Sequence, residues 1–157
     1  PEEARARLSV VQQARPEDVE RVQAIYESAG ITAEIAPFFK DLPQRMAQAH
    51  LVVGRSGAST VAELGVIGRP ALLVPLPHSL DGDQAANATH FAACGAGTLV
   101  PQSAFDGSQL RETILKALAD PADLTRGAEA AKSAGIPDAA DRLARQIATL
   151  IQFEDKR

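Results

Sequence analysis

Two short runs without a polar residue, Leu51–Val53 and Ala71–Val74, constrain this chain more than any other feature of it. Successive side chains of a strand point to opposite faces, so a run that is apolar at every position must be covered on both. That is the situation of a strand in a parallel sheet lying between helices, and Leu51–Val53 is expected to be a central strand of one. The intervening segment supports this, because Ser59–Ile67 reads as a helix stopped by Gly68, and Pro75 and Pro77 close the second run. The rest of the chain repeats the alternation. Leu8–Gln12 is expected as a strand. Pro16 then opens a helix with Glu17, Asp18 and Glu20 at its amino end and Val19, Val22, Ile25 and Tyr26 at helical spacing, ending at Gly30. A strand at Ile31–Ile35, a helix at Leu42–Ala49 begun by Asp41, a helix from about Gln84 to Ala93 ended by Gly95, and a strand at Gly97–Val100 follow. Helices are expected at Leu110–Leu118, Ala122–Ala134 and Ala139–Ile151. Strand and helix in alternation predict an α/β fold, a parallel sheet with helices on both faces.

At 157 residues the chain has room for one domain with a real core, since domains usually run to about 100–200 residues. Its formal net charge of −4 argues against a surface that coats nucleic acid, so an anionic ligand must be held locally. The single Cys94 cannot form an intramolecular disulfide, and no Cys/His cluster has zinc spacing, so a reducing compartment and no metal are expected. No apolar run approaches the roughly 18–20 residues that cross a bilayer. The opening Pro1–Arg7 reads as the end of a helix without an initiator Met, which suggests a piece of a longer polypeptide, although an ordinary processed N-terminus would look similar.

In open α/β sheets, ligands bind beyond the carboxyl ends of the strands, which directs attention to the loops after the two apolar runs. The first contains Gly54-Arg55-Ser56-Gly57-Ala58-Ser59-Thr60. Small residues let a ligand approach the backbone, and the free N–H groups at the start of the next helix, with its dipole, suit a phosphate or pyrophosphate. The alternative is a tight turn whose small residues serve packing and whose Ser59 or Thr60 caps the helix. No Gly-Lys-Ser/Thr follows, which excludes a P-loop, and Gly54 and Gly57 lack the dinucleotide spacing. Glu63, about one turn into the helix, either accepts hydrogen bonds from two vicinal hydroxyls, as on a ribose, or complements the helix dipole. The second loop brings His78, Asp81, Asp83, Gln84 and Asn87 into one stretch. An imidazole, two carboxylates and two amides suit a hydroxyl-rich ligand such as a sugar, or form a solvated loop stiffened by Pro and Gly.

Gly54-Arg55-Ser56-Gly57-Ala58-Ser59-Thr60-Val61-Ala62-Glu63, then Gly68-Arg69-Pro70-Ala71-Leu72-Leu73-Val74-Pro75-Leu76-Pro77-His78 and Asp83-Gln84-Ala85-Ala86-Asn87-Ala88, closely resemble the donor-binding half of the MurG family. The segment Gly135-Ile136-Pro137-Asp138 agrees as well. These bacterial UDP-N-acetylglucosamine transferases make lipid II for peptidoglycan, and the resemblance covers nearly the whole chain. It implies a GT-B fold of two Rossmann-like domains. The C-terminal domain holds UDP-N-acetylglucosamine, while the N-terminal one carries the acceptor site, a membrane-facing patch and the catalytic base. Residues 1–157 are then expected to be the C-terminal UDP-sugar-binding domain. Its first strand and Gly-Gly-Ser loop would precede residue 1, and the whole acceptor domain lies elsewhere.

By resemblance, Glu63 is the ribose-binding glutamate, and Ala58, Ser59 and Thr60 form the helix start facing the diphosphate, after the small Ser56 and Gly57. Phe39 matches a position whose backbone meets the uracil, although its ring is equally well read as a core aromatic. Gln84 and Asn87 match amides near the sugar; Asp83 stands where a relative has Gln, in a loop one residue longer. Arg55 either neutralises the diphosphate or pairs with a carboxylate, and His78 either lines the donor pocket or caps its loop. The function so implied is donor binding in an inverting transfer that converts lipid I to lipid II, with no cofactor and no catalytic residue in this chain. The leaving UDP would be stabilised by the helix N-terminus rather than a metal, although Asp81-Gly82-Asp83 has the spacing of a metal-binding Asp-x-Asp. The expected partners are UDP-N-acetylglucosamine and, through the acceptor domain, lipid I and the cytoplasmic face of the inner membrane, which it touches peripherally; no nucleic acid is expected. The chain alone is expected not to transfer sugar. Two other readings are a non-catalytic donor-binding subunit with a separate acceptor-binding chain, and a UDP-sugar epimerase of the same shape.

Overall fold

The computed structural model describes residues 1–154. In chain order the elements are α1 (Glu2–Ala6), β1 (Ser9–Gln13), a 3₁₀ turn at Pro16–Asp18 leading into α2 (Val19–Ser28), β2 (Thr32–Ala36), α3 (Leu42–Gln48), β3 (Val52–Gly54) and α4 (Ala58–Ile67). They continue with β4 (Ala71–Leu73), a 3₁₀ turn at Leu80–Gly82, α5 (Asp83–Ala93), β5 (Gly97–Leu99), α6 (Gly107–Ala119), α7 (Pro121–Ala134) and α8 (Ala139–Glu154). Each expected element is present, with ends displaced by a few residues. The start of α6 moves furthest for a local reason. Asp106 accepts from the N–H groups of Ser108 at 2.8 Å and Gln109 at 3.1 Å, so the cap starts the helix before its apolar stripe begins at Leu110. At α3, Asp41 occupies the cap position, but its carboxylate binds Arg45 Nε at 2.8 Å instead of a backbone N–H.

Among the described residues every strand pairing is parallel, yet the strands form two sets: β1 pairs with β2 alone, and β3, β4 and β5 pair in that order. The central strand is therefore β4, whose Ala71, Leu72 and Leu73 are at most 1% exposed. The expectation for Leu51–Val53 is corrected: β3 has one neighbour, and Val53 is 44% exposed. Three apolar residues look the same in sequence whether or not a second neighbour covers the strand.

The two faces of β4 organise the core. Ala71 and Leu73 pack with Met46, Leu64, Ala88, Phe91 and Ala131 from the helices and with Ala96 just before β5, while Leu72 packs with Val74, Val100 and the half-buried Phe105. Full burial of a side chain such as Leu64 or Phe91 contributes about 1.5–3 kcal/mol. Glycines allow two close approaches, one between strands and one against α4. A Cβ on Gly97 would lie 2.1 Å from the Ala71 carbonyl oxygen, so β4 and β5 meet where no side chain fits. A Cβ on Gly135 would lie 2.5 Å from the Gly65 carbonyl carbon, so the Gly135–Asp138 segment is pressed against the back of α4.

α8 stands apart energetically. Every residue from 139 to 151 is exposed, including Leu143, Ile147, Leu150 and Ile151, which recur at helical spacing along one stripe. Among the described residues, no helix is long and apolar enough to cross a membrane.

Candidate functional site

β3 and β4 run in register to the same end, Gly54 beside Leu73, so the chain leaves both strands at one sheet edge. The first loop needs only three residues to enter α4. Gly57 takes the cap position with an extended backbone (φ −60°, ψ 152°), and no side chain accepts a hydrogen bond from the first turn. Neither Ser59 nor Thr60 caps the helix, which removes the packing-turn alternative in that form. The N–H groups of Ala58, Ser59 and Thr60 thus open the helix at its positive end without an intrahelical partner. Glu63 lies four residues after Ser59 and three after Thr60, placing all three on one helix face. Its carboxylate is exposed and has no ion-pair partner among the described residues.

Arg55 and Ser56 turn inward to the second loop. The Arg55 Nη1 donates to the carbonyls of Val74 at 3.1 Å and Pro75 at 3.2 Å. The side chain thus binds two backbone carbonyls at the end of β4, neither of the acceptors expected for it. Ser56 is fully buried; its hydroxyl donates to the Gln84 carbonyl at 2.7 Å, and its own carbonyl accepts from Asn87 Nδ2 at 3.1 Å. Together these contacts join the two loops.

The second loop leaves β4 through the buried Pro75 and makes a turn closed by the Ser79 N–H on the Leu76 carbonyl at 3.2 Å. His78 is exposed in this turn. The chain then passes through two left-handed residues, Asp81 (φ 53°) and Gly82 (φ 68°), before α5 begins. An Asp tolerates this conformation better than most side chains. Asp83 is exposed, and its Oδ1 accepts from the N–H of its neighbour Gln84 at 2.7 Å. Gln84 Oε1 accepts from the Leu76 N–H at 3.0 Å, which leaves Nε2 to donate to a ligand. Phe39, between β2 and α3, is 7% exposed with the Arg45 guanidinium 4.4 Å above its ring centre. Its side chain serves the core and leaves only its backbone to a ligand.

The structure therefore joins Ser56, Gln84 and Asn87 by hydrogen bonds, ties Arg55 to the carbonyls of Val74 and Pro75, and sets Gly57, Ala58, Ser59, Thr60 and Glu63 along the opening of α4. His78 and Asp83 lie on the exposed part of the second loop. Sequence reasoning missed the carbonyls of Val74 and Pro75, the N–H of Leu76 and the Ser79 hydroxyl, which accepts from the Gln84 N–H at 3.4 Å. Backbone partners have no residue signature, and one Ser in a polar loop has almost none.

Comparison with known proteins shows the family of the chain. The UDP-N-acetylglucosamine--N-acetylmuramyl-(pentapeptide) pyrophosphoryl-undecaprenol N-acetylglucosamine transferase of Methylobacterium nodulans is 61% identical over 145 residues, covering 92% of this chain and 39% of that protein. The protein of the same name from Brucella canis is 54% identical over 144 residues, covering 92% of this chain and 38% of that protein. The chain thus spans about two fifths of the length of the curated relatives it matches. The crystal structure of Acinetobacter baumannii MurG superposes with a TM-score of 0.82 at 30% identity, over 94% of this chain and 46% of that one. The glycosyltransferase VinC in complex with dTDP shares the fold, with a TM-score of 0.66 at 18% identity over 99% of this chain and 37% of that one. The description "glycosyltransferase family 28 C-terminal domain" matches residues 1–143, and with two parallel strand sets, an open helix start and relatives of this kind, the chain belongs to that family.

Proposed function

We propose that this chain is the donor-binding domain of an inverting N-acetylglucosaminyltransferase that converts lipid I to lipid II. The observation that carries the reading is the uncapped start of α4, with Glu63 on the same helix face and the Gln84 loop fastened beside it. In this reading the N–H groups of Ala58, Ser59 and Thr60 receive the diphosphate, Glu63 accepts from the two ribose hydroxyls, and Gln84 Nε2 meets the sugar. The acceptor hydroxyl of lipid I attacks the anomeric carbon, a new C–O bond forms with inversion, and the bond to the diphosphate breaks. Negative charge grows on the departing UDP, where the open end of α4 stabilises it better in the transition state than in the bound donor.

The acceptor domain would supply the base, the lipid I site and the peripheral contact with the cytoplasmic face of the inner membrane. The chain alone is accordingly inactive in transfer. A further strand, followed by the Gly-Gly-Ser loop of the family, would complete the sheet; β1 and β3 each have only one partner strand, which is consistent with this.

The test is competition binding of UDP, UDP-N-acetylglucosamine and its galacto epimer to the wild type and Gln84→Ala. The wild type is expected to bind UDP and to prefer the gluco over the galacto donor. Gln84→Ala is expected to weaken UDP-N-acetylglucosamine while barely affecting UDP. A wild type that binds no uridine nucleotide refutes the function, and an equal loss for all three ligands refutes the division of work between the loops.

A further inference from the structure

Asn87 matches an amide position near the sugar, but the structure gives its side chain another task. Its Nδ2 donates to the Ser56 carbonyl at 3.1 Å, and the Ser56 hydroxyl returns a hydrogen bond to the Gln84 carbonyl at 2.7 Å. Ser56 is completely buried and Gln84 and Asn87 are half-buried, so both bonds are partly shielded from competing water. The amino-terminal half of α5 thereby holds the residue that precedes the cap of α4 by its carbonyl and its side chain together.

The consequence follows from peptide geometry. A trans peptide is planar with its C=O and N–H pointing in opposite directions. Fixing the Ser56 carbonyl toward Asn87 therefore aims the Gly57 N–H away from α5. Gly57 is the cap residue, so this N–H immediately precedes the open N–H groups of Ala58, Ser59 and Thr60 along the chain. If the Asn87 bond is lost, the Ser56–Gly57 peptide is free to rotate, and Gly57 offers no side chain to resist it.

We propose that Asn87 is a positioning residue, which acts through the Ser56 carbonyl to hold the Gly57 N–H in line with the amino terminus of α4, so that the second loop controls how the first receives phosphate. This rests on the reading of α4 as the diphosphate site and goes beyond it by moving Asn87 from sugar recognition to phosphate recognition. Gln84 and Asn87, three residues apart on α5, then do different work: one faces the ligand and the other faces the protein.

The experiment combines a measurement without ligand and one with it. In the unliganded protein, the Gly57 amide resonance of Asn87→Ala should shift and exchange faster with solvent, while that of Gly54 stays in place. Calorimetric titration should show UDP and UDP-N-acetylglucosamine weakened by the same factor, about three- to tenfold for one hydrogen bond, with uridine unaffected. Asn87→Asp, which keeps the size and loses the donor, should behave as Asn87→Ala, and both variants should retain the wild-type circular dichroism. An unmoved Gly57 resonance overturns the proposal. So does a loss confined to UDP-N-acetylglucosamine, which would make Asn87 a sugar reader, or an equal loss for uridine, which would mark general damage. A wild type that binds no UDP refutes the donor-site reading itself, whatever the Gly57 resonance does.

Discussion

Replacing Glu63 with Ala separates binding from folding, because the structure gives this carboxylate nothing to do in the unliganded protein. It is exposed, without an ion-pair partner among the described residues, and is the sixth residue of α4. The helix dipole acts on charges within the first turn, so Glu63 sits too far along to gain from it. Ala is slightly the better helix former, so the expected change in stability is within about 0.5 kcal/mol. Binding is another matter. If the carboxylate accepts from two ribose hydroxyls, its removal forfeits charge-assisted bonds and costs about 1.5–3 kcal/mol. At 1.4 kcal/mol per decade this is about a ten- to hundredfold loss of UDP affinity. Glu63→Gln keeps the acceptor oxygen without the charge and should fall between the two. The assay is calorimetric titration of UDP into each variant beside its thermal unfolding curve. An unchanged UDP affinity in Glu63→Ala would leave Glu63 an ordinary solvated residue, and a large fall in Tm would show that its role in the free protein had been misread.

Two further perturbations test the scaffold. Gly97→Ala places a Cβ 2.1 Å from the Ala71 carbonyl oxygen and must separate β5 from the central strand; overpacking and strained ladder bonds should cost about 2–4 kcal/mol, or about 5–15 °C in Tm, whereas Gly107→Ala, which meets nothing within 4 Å, should change Tm little. The Ser108 hydroxyl, with the N–H groups of Gln109 and Ser108, holds the Asp106 carboxyl below the ordinary Asp range. A lowered native pKa means stability that is present above the unfolded value of about 3.9 and lost as pH falls through the native one. Asp106→Ala should therefore lower Tm at pH 7 and converge on the wild type in strong acid, as melting curves between pH 7 and pH 2 would show.

The alternation of elements was legible because each signal is local: Gly30, Gly68 and Gly95 close helices with a left-handed residue, and apolar spacing marks the helices between. Strand neighbours were less legible. Nothing within Val52–Gly54 says whether a strand pairs on one side or two, since pairing is decided by residues far away in sequence. The same limit applies to Gly135. The sequence shows a Gly before Ile-Pro-Asp, but only the fold shows that Gly65 lies against it.

The candidate site divides along the same line. That Ser56, Gly57 and Ala58 are small, and that a helix begins there, follows from the residues themselves, and both survive in the structure. The direction in which Arg55, Gln84 and Asn87 point does not follow, because a guanidinium or an amide satisfies a ligand oxygen and a backbone carbonyl by the same chemistry. The loops themselves explain why the protein takes up so many of these groups. Three residues join β3 to α4, and a backbone carbonyl held at a buried position needs a donor. The second loop supplies it through Asn87, just as Arg55 supplies donors to the carbonyls of Val74 and Pro75. The polar residues at this sheet edge are therefore of two kinds, those that hold the backbone in place and those, such as Glu63, left without a partner among the described residues. The unsatisfied kind is where a ligand is expected, and that distinction exists only once the hydrogen bonds have been assigned.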